Sequence, residues 1–255
     1  MSQPPASDID LLVLCGGLGT RLRPAVSDRP KSMAMVEERP FLDFILEHFT
    51  RHGIRRVVLC TGYMGDYIEQ WCVGTHRPCE LVMSREASPL GTAGAVKQAA
   101  PFVRSDPFMV ANGDSLLDAD PNALVTFHAT HRGCATVTLV NASARADVGF
   151  VTLDDRGRIT AFSEKRPDTA SKFHNAGVYV LDRNLLDQIP DHRPSSIETD
   201  LLPSLLPQGV FGFVSDAPLY DIGTPERLAG FQASRRAWAG GTPSREGTTL
   251  VGFGS

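Results

Sequence analysis

The chain has 255 residues, a formal net charge of −4, 42% hydrophobic and 21% charged residues. That length suits one large α/β domain with an ample core, and the slightly acidic balance argues against a nucleic-acid-binding surface. No apolar stretch reaches the ~20 residues that cross a bilayer, and the first eight residues lack a basic region followed by an apolar one, so neither a membrane span nor a secretory leader is expected. Five cysteines (Cys15, Cys60, Cys72, Cys79, Cys134) are odd in number and show no C-x-x-C spacing. They read as reduced, mostly buried thiols of a cytoplasmic protein rather than a disulfide frame or zinc site.

In chain order, the short apolar run 11–15 predicts a buried strand. A helix is predicted over 41–52, where Leu42, Ile45 and Phe49 recur at helical spacing, ended by Gly53. Strand 56–60, helix 63–72, strand 80–83 and helix 92–100, stopped by Pro101, follow. A buried strand over 108–111 ends in Asn112-Gly113-Asp114, and Asp120-Pro121 supply the N-cap and first position of another helix. This alternation implies a parallel sheet covered on both faces, with ligand sites at the carboxyl ends of its strands. The second half predicts strands at 135–140, 150–153, 159–163 and 177–181, with Asp154-Asp155-Arg156-Gly157 as a hairpin turn. Ser196 caps a helix running to Leu206, and 225–237 forms the last helix. Residues 239–255, rich in Gly, Ser, Thr and Pro, are expected to be a disordered tail. There are no internal repeats, and no hexapeptide repeat that would build a β-helical tail. The expected fold is α/β: a doubly wound, Rossmann-like, mostly parallel mixed sheet with a small antiparallel extension.

The most specific stretch follows the first strand: Gly16-Gly17-Leu18-Gly19-Thr20-Arg21-Leu22-Arg23-Pro24, then Pro30-Lys31. Three glycines within four residues leave backbone N–H groups free of Cβ atoms and able to approach phosphate oxygens. Arg21, Arg23 and Lys31 add positive charge. A Walker loop is excluded because Thr20-Arg21 stand where Lys-Ser/Thr is needed, and a dinucleotide fingerprint because Leu22 replaces its third glycine. Asp114, after a buried strand, reads as a Mg²⁺ ligand or a turn aspartate. Asp221, in Tyr220-Asp221-Ile222-Gly223-Thr224-Pro225, reads as a metal ligand or the cap of the following helix. The pairs His48/His52 and His128/His131 read as helix-surface residues, and Asp118-Ala119-Asp120, though D-x-D in form, as the approach to a helix cap.

The string Gly-Gly-x-Gly-Thr-Arg-Leu-x-Pro followed by Pro-Lys resembles the signature of the sugar-phosphate nucleotidyltransferases, which join a sugar 1-phosphate to a nucleoside triphosphate. Ser32, where proline is frequent, is a local departure. The resemblance covers residues 8–237, divided into a nucleotide-binding half (8–133) and a sugar-binding half (134–237). It implies that Gly16, Gly17, Gly19 and Thr20 wrap the triphosphate, that Arg21, Lys31 and Asp114 serve catalysis, and that Asp114 and Asp221 share one Mg²⁺, or Mn²⁺ in its place. It places base recognition at Glu86, Gly91 and Thr92, with Gly91 leaving room for a flat base. It places the sugar phosphate at Gly149, Glu164, Lys165, Asn175 and Gly177. A carboxylate accepts only, and guanine offers two adjacent donors, so Glu86 favours GTP over UTP or dTTP. The strings Pro30-Lys31-Ser32-Met33-Ala34, Arg39-Pro40-Phe41-Leu42, Pro89-Leu90-Gly91-Thr92 and Asp221-Ile222-Gly223 are most similar to the short heptose 1-phosphate guanylyltransferases; the sugar rests on that likeness alone. The rival activities are mannose 1-phosphate guanylyl transfer, glucose 1-phosphate thymidylyl or uridylyl transfer, and, in another class, a non-catalytic nucleotide-sugar-binding regulator. GTP and a sugar 1-phosphate are the expected partners, with a homo-oligomer left open.

Overall fold

The computed structural model describes residues 6–17, 19, 22, 26–73, 77–141, 149–163 and 172–239, with side chains through 235. Thr20, Arg21, Glu164, Lys165 and residues 240–255 of the expected tail lie outside the described residues.

The strands are β1 (Asp10–Leu14), β2 (Met35–Val36), β3 (Arg39–Pro40), β4 (Arg56–Thr61), β5 (Glu80–Arg85), β6 (Phe108–Asn112), β7 (Ser115–Leu117), β8 (Ala135–Asn141), β9 (Phe150–Leu153), β10 (Ile159–Ser163), β11 (Phe173–Leu181), β12 (Val210–Ser215) and β13 (Leu219–Asp221). The helices are α1 (Phe41–Arg51), α2 (Gly65–Cys72), α3 (Gly91–Ala99), α4 (Pro121–His131), α5 (Leu202–Leu205) and α6 (Pro225–Ala239).

Nine strands form one sheet, ordered β10-β9-β11-β6-β1-β4-β5, with β8 beside β11 and β12 beside β8. The core β6-β1-β4-β5 is parallel, and β11 enters antiparallel against β6. In β1, Leu11 and Val13 face one apolar layer with α1, while Leu12 faces the other with α3. Both faces are therefore dry, which is why the parallel strands read as unbroken apolar runs. In the first layer Phe231 of α6 packs edge-on against Phe41 and Phe44, at 5.0 and 5.4 Å between ring centroids. A buried pair, Asp10 Oδ1 with Arg56 Nη1 at 3.1 Å, sits at the amino ends of β1 and β4, opposite the carboxyl ends where the site forms.

Several expectations are corrected. His48 and His128 are buried rather than on helix surfaces: His48 Nε2 meets Ala119 O at 3.0 Å, and His128 bridges Thr136 Oγ1 at 2.9 Å and Asp182 Oδ1 at 3.0 Å. A polar ring at a core-facing helix position is tolerated once both nitrogens have partners. Helix α3 does end at Ala99, before Pro101, and a 3₁₀ turn over Ala100–Phe102 follows it. Ser196 does cap, its Oγ accepting from Glu198 N and Thr199 N. The segment it starts is not one helix, however. A π turn over Ile197–Leu201 leads into α5 and then a 3₁₀ turn over Leu206–Gln208, since Pro203 and Pro207 withdraw N–H donors. Helix α6 runs to Ala239, where the tail was expected to begin. Strand β11 starts at Phe173 rather than at Gly177, so Asn175 lies within a strand instead of before one.

Candidate active site

The site forms where β1 and β6 end side by side. Gly113 N donates to Leu14 O at 3.0 Å. A Cβ on Gly113 would stand 2.5 Å from that oxygen, so glycine permits this approach. The turn opening at Lys31 brings its side chain under the glycine loop: a Cβ on Gly19 would lie 3.0 Å from Lys31 Cβ, and Gly19 has φ +59°. Lys31 Nζ reaches Asp114 Oδ2 at 2.5 Å. A cleft of about 180 Å³ lies between Gly17, Gly19, Lys31 and Asp114. A second, of about 280 Å³, shares Gly17 and Asp114 and extends to Glu86, Gly91 and Thr92. Cys15 also lines the first cleft, but burial pushes its thiol up to about 12, which leaves it protonated and unfit as a nucleophile.

Asp221 joins Asp114 through two short strands. β13 pairs antiparallel with β7, setting Asp221 opposite Ser115, and Ile222 N donates to Asp114 O at 3.0 Å. Asp221 Oδ1 accepts from Gly223 N at 3.0 Å and from Arg227 Nη1 at 3.1 Å. Asp114 keeps 43% of its side-chain exposure against 17% for Asp221, so Asp114 is the more open to a ligand in the cleft. The Asp114 and Asp221 carboxylates are hard oxygen donors of the kind Mg²⁺ takes. No group of three acidic, His or Cys side chains able to hold a metal occurs among the described residues. A cation here would complete its shell from phosphate oxygens and water, as Mg²⁺ does.

Glu86 also lines the larger cleft. Its Oε2 accepts from Leu90 N at 3.1 Å. Its Oε1 lies 2.8 Å from where a Cβ on Gly16 would be and 2.5 Å from one on Gly62. Two glycines therefore make the slot for one carboxylate, and Gly62 went unnoticed in the sequence because it follows a strand with no motif around it. Burial raises the Glu86 pKa, partly opposed by the Leu90 N–H. If this carboxylate selects a ligand by accepting hydrogen bonds, that selection should fade on acidification at a higher pH than an exposed glutamate would give.

Gly91 lines this cleft, but its missing Cβ does not make room for a base. The space is taken by Ser195, whose carbonyl oxygen lies 2.4 Å from that position, and φ is +72°. The Thr92 hydroxyl is likewise turned inward, donating to Glu198 Oε2 at 2.9 Å. Next to β6, Gly177 (φ +77°) would drive a Cβ to 2.4 Å from Asn112 Nδ2. β11 is irregular against β8 between Asn175 and Tyr179, and Asn175 Oδ1 takes Gly177 N at 2.9 Å. Gly149 accepts from Asn175 N at 3.2 Å, although a side chain at 149 would meet nothing within 4 Å. The structure thus brings Gly16, Gly17, Gly19, Lys31, Glu86, Gly91, Thr92 and Asp114 to one pair of clefts. It sets Asp221 beside Asp114, and Asn175 with Gly177 beside Asn112.

If Glu86 reads guanine, Glu86→Gln should lower kcat/KM for GTP about ten- to a hundredfold relative to dTTP or UTP, the range of one mismatched buried polar contact. Gly62→Ala should do the same by displacing the carboxylate. A GTP/UTP ratio unmoved in both folded variants would make Glu86 a bystander.

A family model described as "Nucleotidyl transferase" matches residues 11–235. A mannose-1-phosphate guanylyltransferase of Mycobacterium tuberculosis is 37% identical over 222 residues, 86% of this chain and 62% of that protein. The chain thus spans under two thirds of that relative's length. A D-glycero-alpha-D-manno-heptose 1-phosphate guanylyltransferase of Aneurinibacillus thermoaerophilus is 32% identical over 219 residues, 86% of this chain and 94% of that one. The crystal structure of HddC from Yersinia pseudotuberculosis complexed with GMP-PN superposes with a TM-score of 0.79 at 27% identity, covering 89% of this chain and 99% of that one. With a glycine loop, Lys31 and two aspartates gathered at the carboxyl ends of a mixed Rossmann-like sheet, and a family match along nearly the whole described chain, this protein belongs to the nucleotidyl transferase family.

Proposed function

We propose that the protein condenses GTP with a sugar 1-phosphate, D-glycero-D-manno-heptose 1-phosphate in the first instance, releasing pyrophosphate and GDP-heptose. The observation that carries this reading is the convergence of Lys31, Asp114 and Asp221 at the glycine loop, beside a carboxylate slot for a base. The attacking group is a phosphate whose second pKa is about 6, largely ionised at neutral pH, so no general base is needed. The task is to hold two polyanions in line. In this reading the amides of Gly16 and Gly17 and the Lys31 ammonium, with Arg21 and Thr20, bind the triphosphate, and Lys31 meets the charge that develops on the leaving pyrophosphate. Glu86 accepts from the two guanine donors. Asn175, Gly177 and Gly149, with Glu164 and Lys165, hold the sugar phosphate. Asp114 and Asp221 would hold Mg²⁺ or Mn²⁺, which when bound neutralises phosphate charge.

Mannose 1-phosphate is the second reading, favoured by the higher identity of the Mycobacterium tuberculosis relative. Heptose is preferred because the chain spans 94% and 95% of two heptose 1-phosphate guanylyltransferases. The two sugars share the manno arrangement of ring hydroxyls and differ in the carbon chain beyond the ring, so the pocket must discriminate there. With GTP saturating, kcat/KM should favour the heptose 1-phosphate by about tenfold or more, the worth of one good polar contact. Equal or better use of mannose 1-phosphate would assign the enzyme to mannose.

The chain carries no helix long and apolar enough to cross a membrane among its described residues. A site for soluble phosphates and the thiols Cys15, Cys60, Cys72, Cys79 and Cys134, all free, support a cytoplasmic setting.

A further inference from the structure

The segment before α5 folds over the start of α3. Ser195 O accepts from Ala93 N at 3.0 Å and Gly94 N at 3.3 Å, and Ser195 N donates to Leu90 O at 2.8 Å. Helix α3 has no capping side chain of its own, so this distant segment satisfies amides that every helix start leaves open. Three residues on, Glu198 gathers three hydroxyls. Its Oε2 accepts from Thr92 Oγ1 and Ser196 Oγ, each at 2.9 Å, and its Oε1 from Tyr179 OH at 2.9 Å.

The direction of these bonds is forced. Each hydroxyl already accepts from an N–H: Thr92 from Ile197 N at 2.7 Å, Ser196 from Glu198 N at 3.1 Å, Tyr179 from Asn175 Nδ2 at 2.8 Å. A hydroxyl has one proton to give, and all three are given to Glu198. Only an acceptor at both oxygens fits, and an ionised carboxylate is that acceptor. The ordering runs through Asn175. Gly177 N donates to Asn175 Oδ1, which turns Nδ2 toward Tyr179. Tyr179, accepting there, gives its one proton to Glu198. Tyr179 is wholly buried, so no bulk water can substitute, and burial together with the nearby Glu198 keeps the phenol protonated by raising its pKa.

We propose that Glu198 is a positioning residue for sugar-phosphate binding: through Tyr179 it anchors the Asn175 amide in the orientation that Gly177 N sets, and it ties that anchor to Thr92 at the nucleotide cleft. This rests on the reading of Asn175 as a sugar-binding residue. Glu198→Gln puts an N–H where an acceptor is required. Tyr179→Phe cuts the link while leaving Glu198 with Thr92 and Ser196.

The test is steady-state pyrophosphate release, paired with calorimetric binding of mannose 1-phosphate and D-glycero-D-manno-heptose 1-phosphate. In both variants the sugar 1-phosphate KM and Kd should rise about tenfold or more, while in Tyr179→Phe, which leaves the Thr92 contact intact, kcat and the GTP KM stay within about threefold of wild type. Because the two act in one chain, the sugar Kd of the double variant should be no worse than that of the poorer single one. In folded Tyr179→Phe, a parallel rise in both KM values, or an unchanged sugar KM and Kd, would overturn the proposal. If Glu198→Gln fails to fold, Tyr179→Phe decides the matter alone. Wild-type protein that binds sugar 1-phosphate but releases no pyrophosphate would overturn the proposed reaction, and the Kd comparison would still decide the role of Glu198. Wild-type protein that binds no sugar 1-phosphate would overturn both.

Discussion

Lys31→Ala should lower kcat by about 10²–10³-fold, the usual loss when one fixed donor to developing charge is removed, with little change in thermal midpoint. The small structural effect follows from where the side chain stands. Lys31 lies at the cleft and pairs with Asp114 at 2.5 Å, and Asp114 is 43% exposed. Removing the ammonium leaves that carboxylate facing water and cleft, not stranded in a core, so the desolvation penalty of a broken buried pair does not apply. The fall should appear in kcat if, as proposed, the ammonium meets the charge that collects on pyrophosphate. A folded variant turning over near the wild-type rate would remove Lys31 from the mechanism.

Asp114→Asn and Asp221→Asn should each cut activity by at least about 10- to 100-fold, the range seen when groups around a metal are altered. The double variant should fall well short of the product of the single losses. Asp221 stands opposite Ser115 on paired strands, and Ile222 N bonds to Asp114 O at 3.0 Å. Two residues joined through that strand pair are not independent sites if they serve one cation. Mn²⁺ binding followed by electron paramagnetic resonance should weaken in each variant, and wild-type activity should vanish in excess chelator. Cleanly additive losses, or full activity with chelator present, would contradict a shared metal.

The parts of the fold legible in the sequence are those with strong local patterning. The alternation of apolar runs with helical periods, the cap at Asp120 with Pro121, and the turn at Asp154–Gly157 all stand where the residues put them, the cap with Asp120 Oδ1 accepting from Asn122 N at 2.9 Å. What could not be read is short or remote. β7 and β13 have three residues each, too few for any period, yet their pairing is what sets the two aspartates together. The inward turn of His48 and His128 depends on Asp118, Ala119, Thr136 and Asp182, which no helical spacing reveals. At the site the same division holds. The glycine loop, Lys31 and Asp114 were visible as a dense motif. Gly62 and Glu198 act through partners far along the chain, and Gly91 is required by Ser195 instead of by a ligand.

The central claim is nucleotidyl transfer with guanine chosen by Glu86. Pyrophosphate release should be measured with GTP, ATP, UTP and dTTP, each crossed with heptose, mannose and glucose 1-phosphates and with no sugar. Release that requires both a divalent cation and a sugar 1-phosphate, with GTP ahead of UTP and dTTP by about tenfold or more, is the predicted result. Release indifferent to sugar phosphate, a preference for UTP or dTTP, or no release from any combination would contradict it.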